Sequence, residues 1–263
     1  MIAFALKRLG LSVLVAITVS ALVFALLHAS GDAAIALAGE GARTKDIESI
    51  RRLYGFDQPL IVQYLGWLGQ ILQGNFGQSL YFKTDVVGLV LSKLPTTVIL
   101  AVFSLLFALA LSVPLGILAA IRPGSATDRL CLALAVAGQA MPNFFFALIL
   151  IMVFSVTLHA FPASGSESLR HFVLPTIALG YYAAPAFMRL VRAGMIEVLD
   201  SDYIRTARAK GLSASSIVLK HALRNAIIPV VALTVVQLGF LLGGSVVIET
   251  VFALDGLGYA EDQ

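Results

Sequence analysis

The chain has 263 residues, 59% of them hydrophobic and 13% charged, with a net charge of +3. Soluble domains carry about 25% charged residues, so this composition excludes an ordinary soluble globular protein. A single cysteine, Cys131, excludes an internal disulfide, and no Cys/His cluster has metal-ligand spacing.

Several apolar runs are long enough to cross about 30 Å of hydrocarbon. They lack the roughly 10-residue alternating segments of a β-barrel. The predicted fold is all-α, a polytopic transmembrane helix bundle whose five spans are Leu9–His28, Pro95–Ile121, Leu130–Leu158, Phe172–Leu190 and Asn225–Ile248. The first apolar core, Leu9 to Leu27, exceeds the usual h-region of about 7–15 residues. An uncleaved anchor is expected, although Ala29-Ser30-Gly31 is small enough to cleave.

Residues 31–94 form the sizeable extramembrane segment. Ile47, Ile50, Arg51 and Tyr54 fall on one helical face, and Leu60, Tyr64, Trp67, Leu68, Ile71 and Leu72 on another. Gly74-Asn75-Phe76-Gly77 reads as a turn. Tyr64, Trp67 and Tyr81 suit the membrane–water interface. The expectation is an amphipathic cap on the outer surface, compatible with docking of an external partner.

In the second span, Pro114 and Gly116 are weaker candidates for a path, a gate or a structural kink. The third contains Pro142-Asn143-Phe144-Phe145-Phe146. Proline removes a backbone hydrogen bond, so with Gly138, Gln139 and Asn143 this is a polar, breakable place at membrane depth. Such places face protein or a water-filled path. Gln139, Pro142 and Asn143 are therefore candidates for a translocation path or gate, with a structural kink as the alternative. In the fifth span Gly239, Gly243 and Gly244 form a GxxxG-type helix-packing motif, for packing within the chain or against a partner. Glu249 reads as a polar residue at the span's outer boundary, with a proton carrier as the alternative.

Between the fourth and fifth spans lies Tyr203–Pro229, YIRTARAKGLSASSIVLKHALRNAIIP. It carries Arg205, Arg208, Lys210, Lys220 and Arg224 and no acid. On a continuous helix Ala207 and Gly211 lie one above the other, which predicts a side-chain-poor stripe for close packing by another protein. With the N-terminus inside, 11 Lys/Arg fall on the cytoplasmic side, as the positive-inside rule requires. The C-terminus then lies outside, after an odd number of spans.

No charged residue sits mid-span, which argues against an ion-coupled carrier. The chain lacks G-x-x-x-x-G-K-[ST], so energy for active transport must enter through another subunit. Gly243-Gly244-Ser245-Val246 has the form seen in intramembrane serine proteases, but a Ser–His dyad needs a histidine within reach, and His28 is the sole plausible partner. A non-transporting membrane scaffold is the nearer alternative. Nothing calls for nucleic acid.

The order of motifs resembles the permease subunits of ABC importers for dipeptides, oligopeptides and nickel, specifically the first of the two paired permeases. The resemblance rests on YGFDQPLIVQYLGWL (Tyr54–Leu68), GNFGQSL (Gly74–Leu80), LPTTVILA (Leu94–Ala101), MPNFFFALILI (Met141–Ile151) and LRHFVLPTIAL (Leu169–Leu179). It continues through DYIRTARAKGLS (Asp202–Ser213), HALRNAIIPV (His221–Val230) and LLGGSVVIETVFALDGLG (Leu241–Gly258). It implies one permease domain over 1–263, with an extracytoplasmic segment at 31–94 and an ATPase-coupling segment at 191–224, in a bacterial or archaeal inner membrane. Implied partners are a second permease, two ATP-binding subunits that hold ATP and Mg, an extracytoplasmic solute-binding protein and membrane lipid; this chain is expected to bind no cofactor or metal and to be no enzyme. The segment resembling the family's "EAA" hairpin implies an ATPase contact by Arg205, Thr206, Ala207, Arg208, Ala209, Lys210, Gly211, Leu212 and Ser213. Ala33, Asn75 and Asp255 depart from the family's usual residues. The family continues past the GLG of Gly256–Gly258 with a sixth span; the chain reads to Gln263, and a shortened form or a five-span variant, poor in transport, is expected.

Overall fold

The computed structural model describes residues 2–39, 41–79 and 84–258. Leu80, Tyr81 and Tyr259–Gln263, and with them the expected outward position of Gln263, lie outside the described residues. The chain divides into two compact units, Met1–Leu89 and Val90–Gln263.

In the first unit, α1 (Ile2–Ser30) contains the Leu6–Ala29 window, with mean hydropathy 2.5 and none of it buried. Apolar residues surround this helix instead of forming a stripe, the pattern of a helix that faces lipid. Asp32 caps α2 (Ala33–Ala38), accepting from the Ala34 amide at 2.9 Å. The predicted faces form α3 (Thr44–Leu53) and α4 (Leu60–Leu72). The turn after α4 needs its glycines, with Gly74 at φ +81° and Gly77 at φ +78°. Ser20, Phe24 and His28, four residues apart on α1, all meet α4. Tyr64 Oη lies 2.8 Å from Ser20 Oγ, His28 Nε2 lies 3.0 Å from Gln63 Oε1, and the Phe24 ring contacts Tyr64 and Trp67.

Helix α5 (Val86–Ile121) begins earlier than the expected Pro95, because Asp85 Oδ2 accepts from the Gly88 amide at 2.9 Å and caps it. It runs unbroken through Pro95 and Pro114. The helix is not broken at Pro114, and a Cβ on Gly116 would sit 2.7 Å from the Val191 side chain, so this glycine is a close helix contact.

The third span is interrupted: α6 (Ala126–Ala137) ends at a turn over 138–142, and α7 (Asn143–Leu150) continues as a π-helical run, Ile151–Thr157. Helix α8 (Val173–Leu199) extends beyond the expected Leu190, and α9 (Asp202–Ala209) follows it. The chain then passes α10 (Ala214–Ser216), a π-helical run Ile217–Ala222, and α11 (Leu223–Ala226). It bends by 52° into α12 (Ile228–Gly244) and ends, among described elements, with α13 (Val246–Val251). Among the described residues Leu6–Ala29 and Val86–Ile121 are each long and apolar enough to span a membrane, and the bent pair adds a third when its two halves are counted as one span. The remaining two expected spans correspond to the interrupted α6–α7 and the partly charged α8.

The core of the second unit gathers around α8. Phe187, Met188, Val191 and Met195 are fully buried, with Leu100 of α5 and Ile248 of α13. Small residues bring the backbones together: a Cβ on Gly180 of α8 would lie 2.5 Å from the Ser104 carbonyl oxygen of α5. Ser112 Oγ donates to the Ala184 carbonyl at 2.8 Å across the same interface. In lipid, packing of this kind holds helices together.

Candidate functional site

The basic segment folds as a hairpin on the end of α8. The backbone turns at Asp200–Ser201, and Arg205 N bonds back to Ser201 O at 3.1 Å to start α9. The helix ends as a Schellman motif, with Gly211 N donating to Arg208 O at 3.0 Å and Leu212 N to Ala207 O at 3.3 Å. That closure places Gly211 at φ +77°, which a residue with a Cβ adopts at a cost. Ser213 then caps α10 through the Ser216 amide. Tyr203 ties the two arms: Asn225 Nδ2 donates to Tyr203 Oη at 2.7 Å.

The underside of the hairpin is apolar and packed. Ile204, Ile217, Ala222 and Ala226 are buried, and so is Ala207, at 7% exposure. Arg205, Thr206, Arg208, Ala209, Lys210, Gly211, Leu212 and Ser213 face outward. The predicted stripe is corrected here. Ala207 points into the core, the helix stops at Ala209, and no atom of the described residues lies within 4 Å of a Cβ built on Gly211. Gly211 is a backbone hinge for the turn; the outward surface is a basic tip centred on Arg208 and Lys210.

The candidate gate residues meet at the break in the third span. Pro142 is the N-cap of α7, and Asn143 Oδ1 accepts from the Phe144 amide at 2.8 Å. Gln139 Nε2 reaches the Tyr182 carbonyl at 3.4 Å. A Cβ on the buried Gly138 would lie 2.6 Å from the Tyr181 carbonyl, and Tyr181 Oη donates to Leu134 O at 2.5 Å. The break therefore rests against the middle of α8, while the basic tip hangs from its C-terminal end. Tyr182 and Leu199 lie about 25 Å apart along the helix at 1.5 Å per residue. The structure joins the two candidate groups through one continuous helix and does not bring them into contact.

Gly239 and Gly243 have nothing within 4 Å of an added Cβ, so within the second unit they pack against no described atom. Gly244 ends α12.

Sequence reasoning missed two clusters. Asp128, in the connection before the third span, pairs with Arg192 of α8: Nε to Oδ1 is 2.7 Å and Nη2 to Oδ2 is 2.6 Å. The Gly124 amide also donates to Asp128 at 2.8 Å. The Arg192 bond and that amide hold the carboxyl at about 2. The local signal was the Ser125–Asp128 capping pattern; the partner, 64 residues on, had none.

The second cluster surrounds Glu249, which is fully buried and not a boundary residue in water. It accepts from Ser245 Oγ at 2.7 Å and from the Gly258 amide at 2.7 Å. Thr97 Oγ1 accepts from the Leu257 amide at 3.0 Å, and Lys93 pairs with Asp255. The Ser245 hydroxyl thus faces a carboxylate, which gives the protease alternative no support.

Residues 112–260 match the binding-protein-dependent transport system inner membrane component family, and residues 1–101 match the N-terminal part of such membrane components. The glutathione transport system permease protein GsiC of Escherichia coli strain K12 is 41% identical over 259 residues, covering 98% of this chain and 85% of that protein. Its counterpart in Salmonella typhimurium strain LT2 is 40% identical over the same lengths. The inward-facing MetNI methionine ABC transporter superposes with a TM-score of 0.55 at 23% identity, over 66% of this chain and 79% of that one. An amino acid ABC transporter with histidines gives 0.51 at 15%, over 67% and 77%. These two likenesses concern the fold. The family matches and the identity to the permeases together show that this chain belongs to the binding-protein-dependent transport system inner membrane components, the permease subunits of bacterial ABC importers.

Proposed function

We propose that the chain forms the translocation path of an ATP-driven importer for small peptide-like solutes and couples that path to ATP hydrolysis on partner subunits. It acts as one permease domain with its N-terminus in the cytoplasm, 31–94 outside and 191–224 inside. A second permease, two subunits carrying ATP and Mg, and an extracytoplasmic binding protein complete the assembly. The 41% identity to a glutathione permease supports a peptide-like solute over nickel.

The observation that carries this reading is the construction of the hairpin. Its underside is locked into the core by Ile204, Ala207 and Ile217, while Arg205, Arg208 and Lys210 project outward. A tip built this way cannot move without moving α8, because α9 follows α8 after a two-residue turn. Closure of the ATP-binding subunits on the tip would tilt α8, and the break at Gly138–Asn143 rests on Tyr181 and Tyr182 of that helix. Push at one end thus becomes rearrangement at the polar break.

The test is reconstitution of the complete importer in proteoliposomes with labelled glutathione, glycylglycine and Ni2+. ATP-dependent uptake of a peptide is expected. Arg208→Glu with Lys210→Glu should abolish co-purification of the ATPase subunits while leaving membrane insertion intact. Uptake of Ni2+ alone, or normal ATPase binding by the double variant, overturns the corresponding half of the reading.

A further inference from the structure

Two neighbouring cavities lie wholly within the first unit, between the end of α1 and helix α4. Their volumes are about 610 Å³ and about 510 Å³, the size of small-molecule sites. They share His28, Phe56, Gln58 and Gln63 as a common wall.

That wall is ordered by hydrogen bonds. Gln63 Nε2 donates to the carbonyls of Gln58 at 2.8 Å and Phe56 at 3.3 Å, which turns Gln63 Oε1 toward His28 Nε2 at 3.0 Å. His28 Nδ1 lies 2.9 Å from the Phe24 carbonyl. One cavity opens on the Asp32–Arg51 ion pair, whose side chains are 31% and 42% exposed and so remain within reach of solvent. The other is faced by Tyr54 and Phe56, stacked at 5.8 Å, and by Trp67.

The ion pair presents a carboxylate and a guanidinium side by side. Asp32 Oδ1 accepts from the Ala34 amide, and its Oδ2 takes one Arg51 nitrogen, Nη2. A carboxylate has about four acceptor sites and a guanidinium five donors, so each group keeps capacity for a ligand of opposite charge. The complementary ligand carries an ammonium and a carboxylate on one carbon. An ordinary α-linked peptide separates those charges to its two ends. A free α-amino-acid head, as in a γ-linked peptide, keeps them together.

We propose that this double cavity is a permease-borne subsite for a zwitterionic α-amino-acid head group. The carboxylate lies on Arg51, the ammonium on Asp32, and the rest of the ligand runs over the Gln58–Gln63 amides toward the aromatic wall. The inference rests on the peptide-like solute proposed above and adds a recognition step outside the binding protein.

The test is equilibrium binding to the complete permease–ATPase complex in nanodiscs, without the solute-binding protein. The probes are glutathione, whose γ-glutamyl end carries both charges on one carbon, its N-acetyl form, and glycylglycine. Glutathione should bind, and N-acetylation should weaken it about tenfold or more, as expected for lost charged hydrogen bonds. Asp32→Asn retains a good helix cap and should lower glutathione affinity similarly, with N-acetylation then costing little further. Arg51→Gln should weaken binding, and Gln58→Ala, on the exposed wall, should do so more mildly. Glycylglycine binding as tightly as glutathione, or Asp32→Asn binding glutathione at native strength, overturns the subsite. Those outcomes leave the import reading untouched, because uptake by the complete importer is measured separately; failure of all peptide uptake would instead overturn both.

Discussion

Helices α1 and α5 are both apolar enough to cross a membrane, yet the chain holds them by different means. None of the apolar window of α1 is buried, against 33% of that of α5. Helix α1 touches α4 through spaced contacts on one face: Ser20 to Tyr64, Phe24 to the aromatic rings, His28 to Gln63. Helix α5 meets α8 through small residues and near-backbone contact at Ser104–Gly180 and Gly116–Val191. Lipid is as apolar as leucine, so apolarity gives α1 no reason to leave it. Close packing binds one helix, and specific polar and aromatic contacts tether the other.

Gly180→Leu should break this contrast most strongly. The new side chain meets the Ser104 carbonyl, and backbone cannot step aside as a side chain can. The expected cost is about 3 kcal/mol or more, the upper part of the overpacking range, read as loss of the folded permease in detergent thermal-shift assays. Gly239→Leu, which faces open space in the second unit, should leave the stability of the isolated chain unchanged.

Asp128 gives the next largest effect. Its carboxyl sits at about 2 in the fold against an ordinary 3.8, so its ionised form contributes to the stability of the fold. The folded value is the lower one, so this contribution is complete above about pH 4 and disappears as pH falls through about 2. Asp128→Asn should remove that acid dependence and strand Arg192 beside a neutral amide. Thermal unfolding followed from pH 7 to 2 would check both.

Gly211→Ala should cost about 1–2 kcal/mol, because φ +77° is strained for any residue with a Cβ. Gly211→Asn should recover part of it. If the glycine instead served to admit a partner, asparagine would rescue stability but not ATPase binding, and comparing the two readouts separates the roles. The smallest effect is expected at the tether: Tyr64→Phe removes the bond to Ser20 and the one donated to the Ile17 carbonyl, for about 1 kcal/mol, because Phe24 and His28 still hold α4. Hydrogen exchange at α4 would register it.

The sequence was most legible where one physical signal sufficed. Apolar length located α1 and the body of α5, the glycines marked the turn at Gly74–Gly77, and Pro142 marked the broken span. Helix spacing failed at Ala207 and Gly211, because that argument assumed a helix continuing through Gly211. The left-handed turn at Gly211 ends it and leaves Ala207 facing the core. Charge misled at the end of α8. The predicted fourth span stops at Leu190, beside two arginines, but Arg192 is neutralised by an acid 64 residues earlier, and the helix continues to Leu199. Glu249 was missed for a related reason: the amide that satisfies it belongs to Gly258, in a loop whose path back to the helix no periodicity describes.

The cluster around Glu249 has a consequence for biosynthesis. Leu257 donates to Thr97 across 160 residues of chain. At the usual 5–20 residues per second of synthesis, Thr97 waits roughly ten to thirty seconds after it is made before its partner exists. Over about the last third of that interval both α5 and α8 (to Leu199) have been made and can pack against each other, but the clasp of Thr97, Glu249 and Gly258 cannot close. The close-packed interface therefore forms early and the clasp late, so a nascent permease passes through a stage with its helices docked and the Glu249 carboxylate not yet capped by Gly258. Pulse-labelled chains should show early protection at Ser104 and Gly180, with protection at Thr97 appearing only after Gly258 has been made.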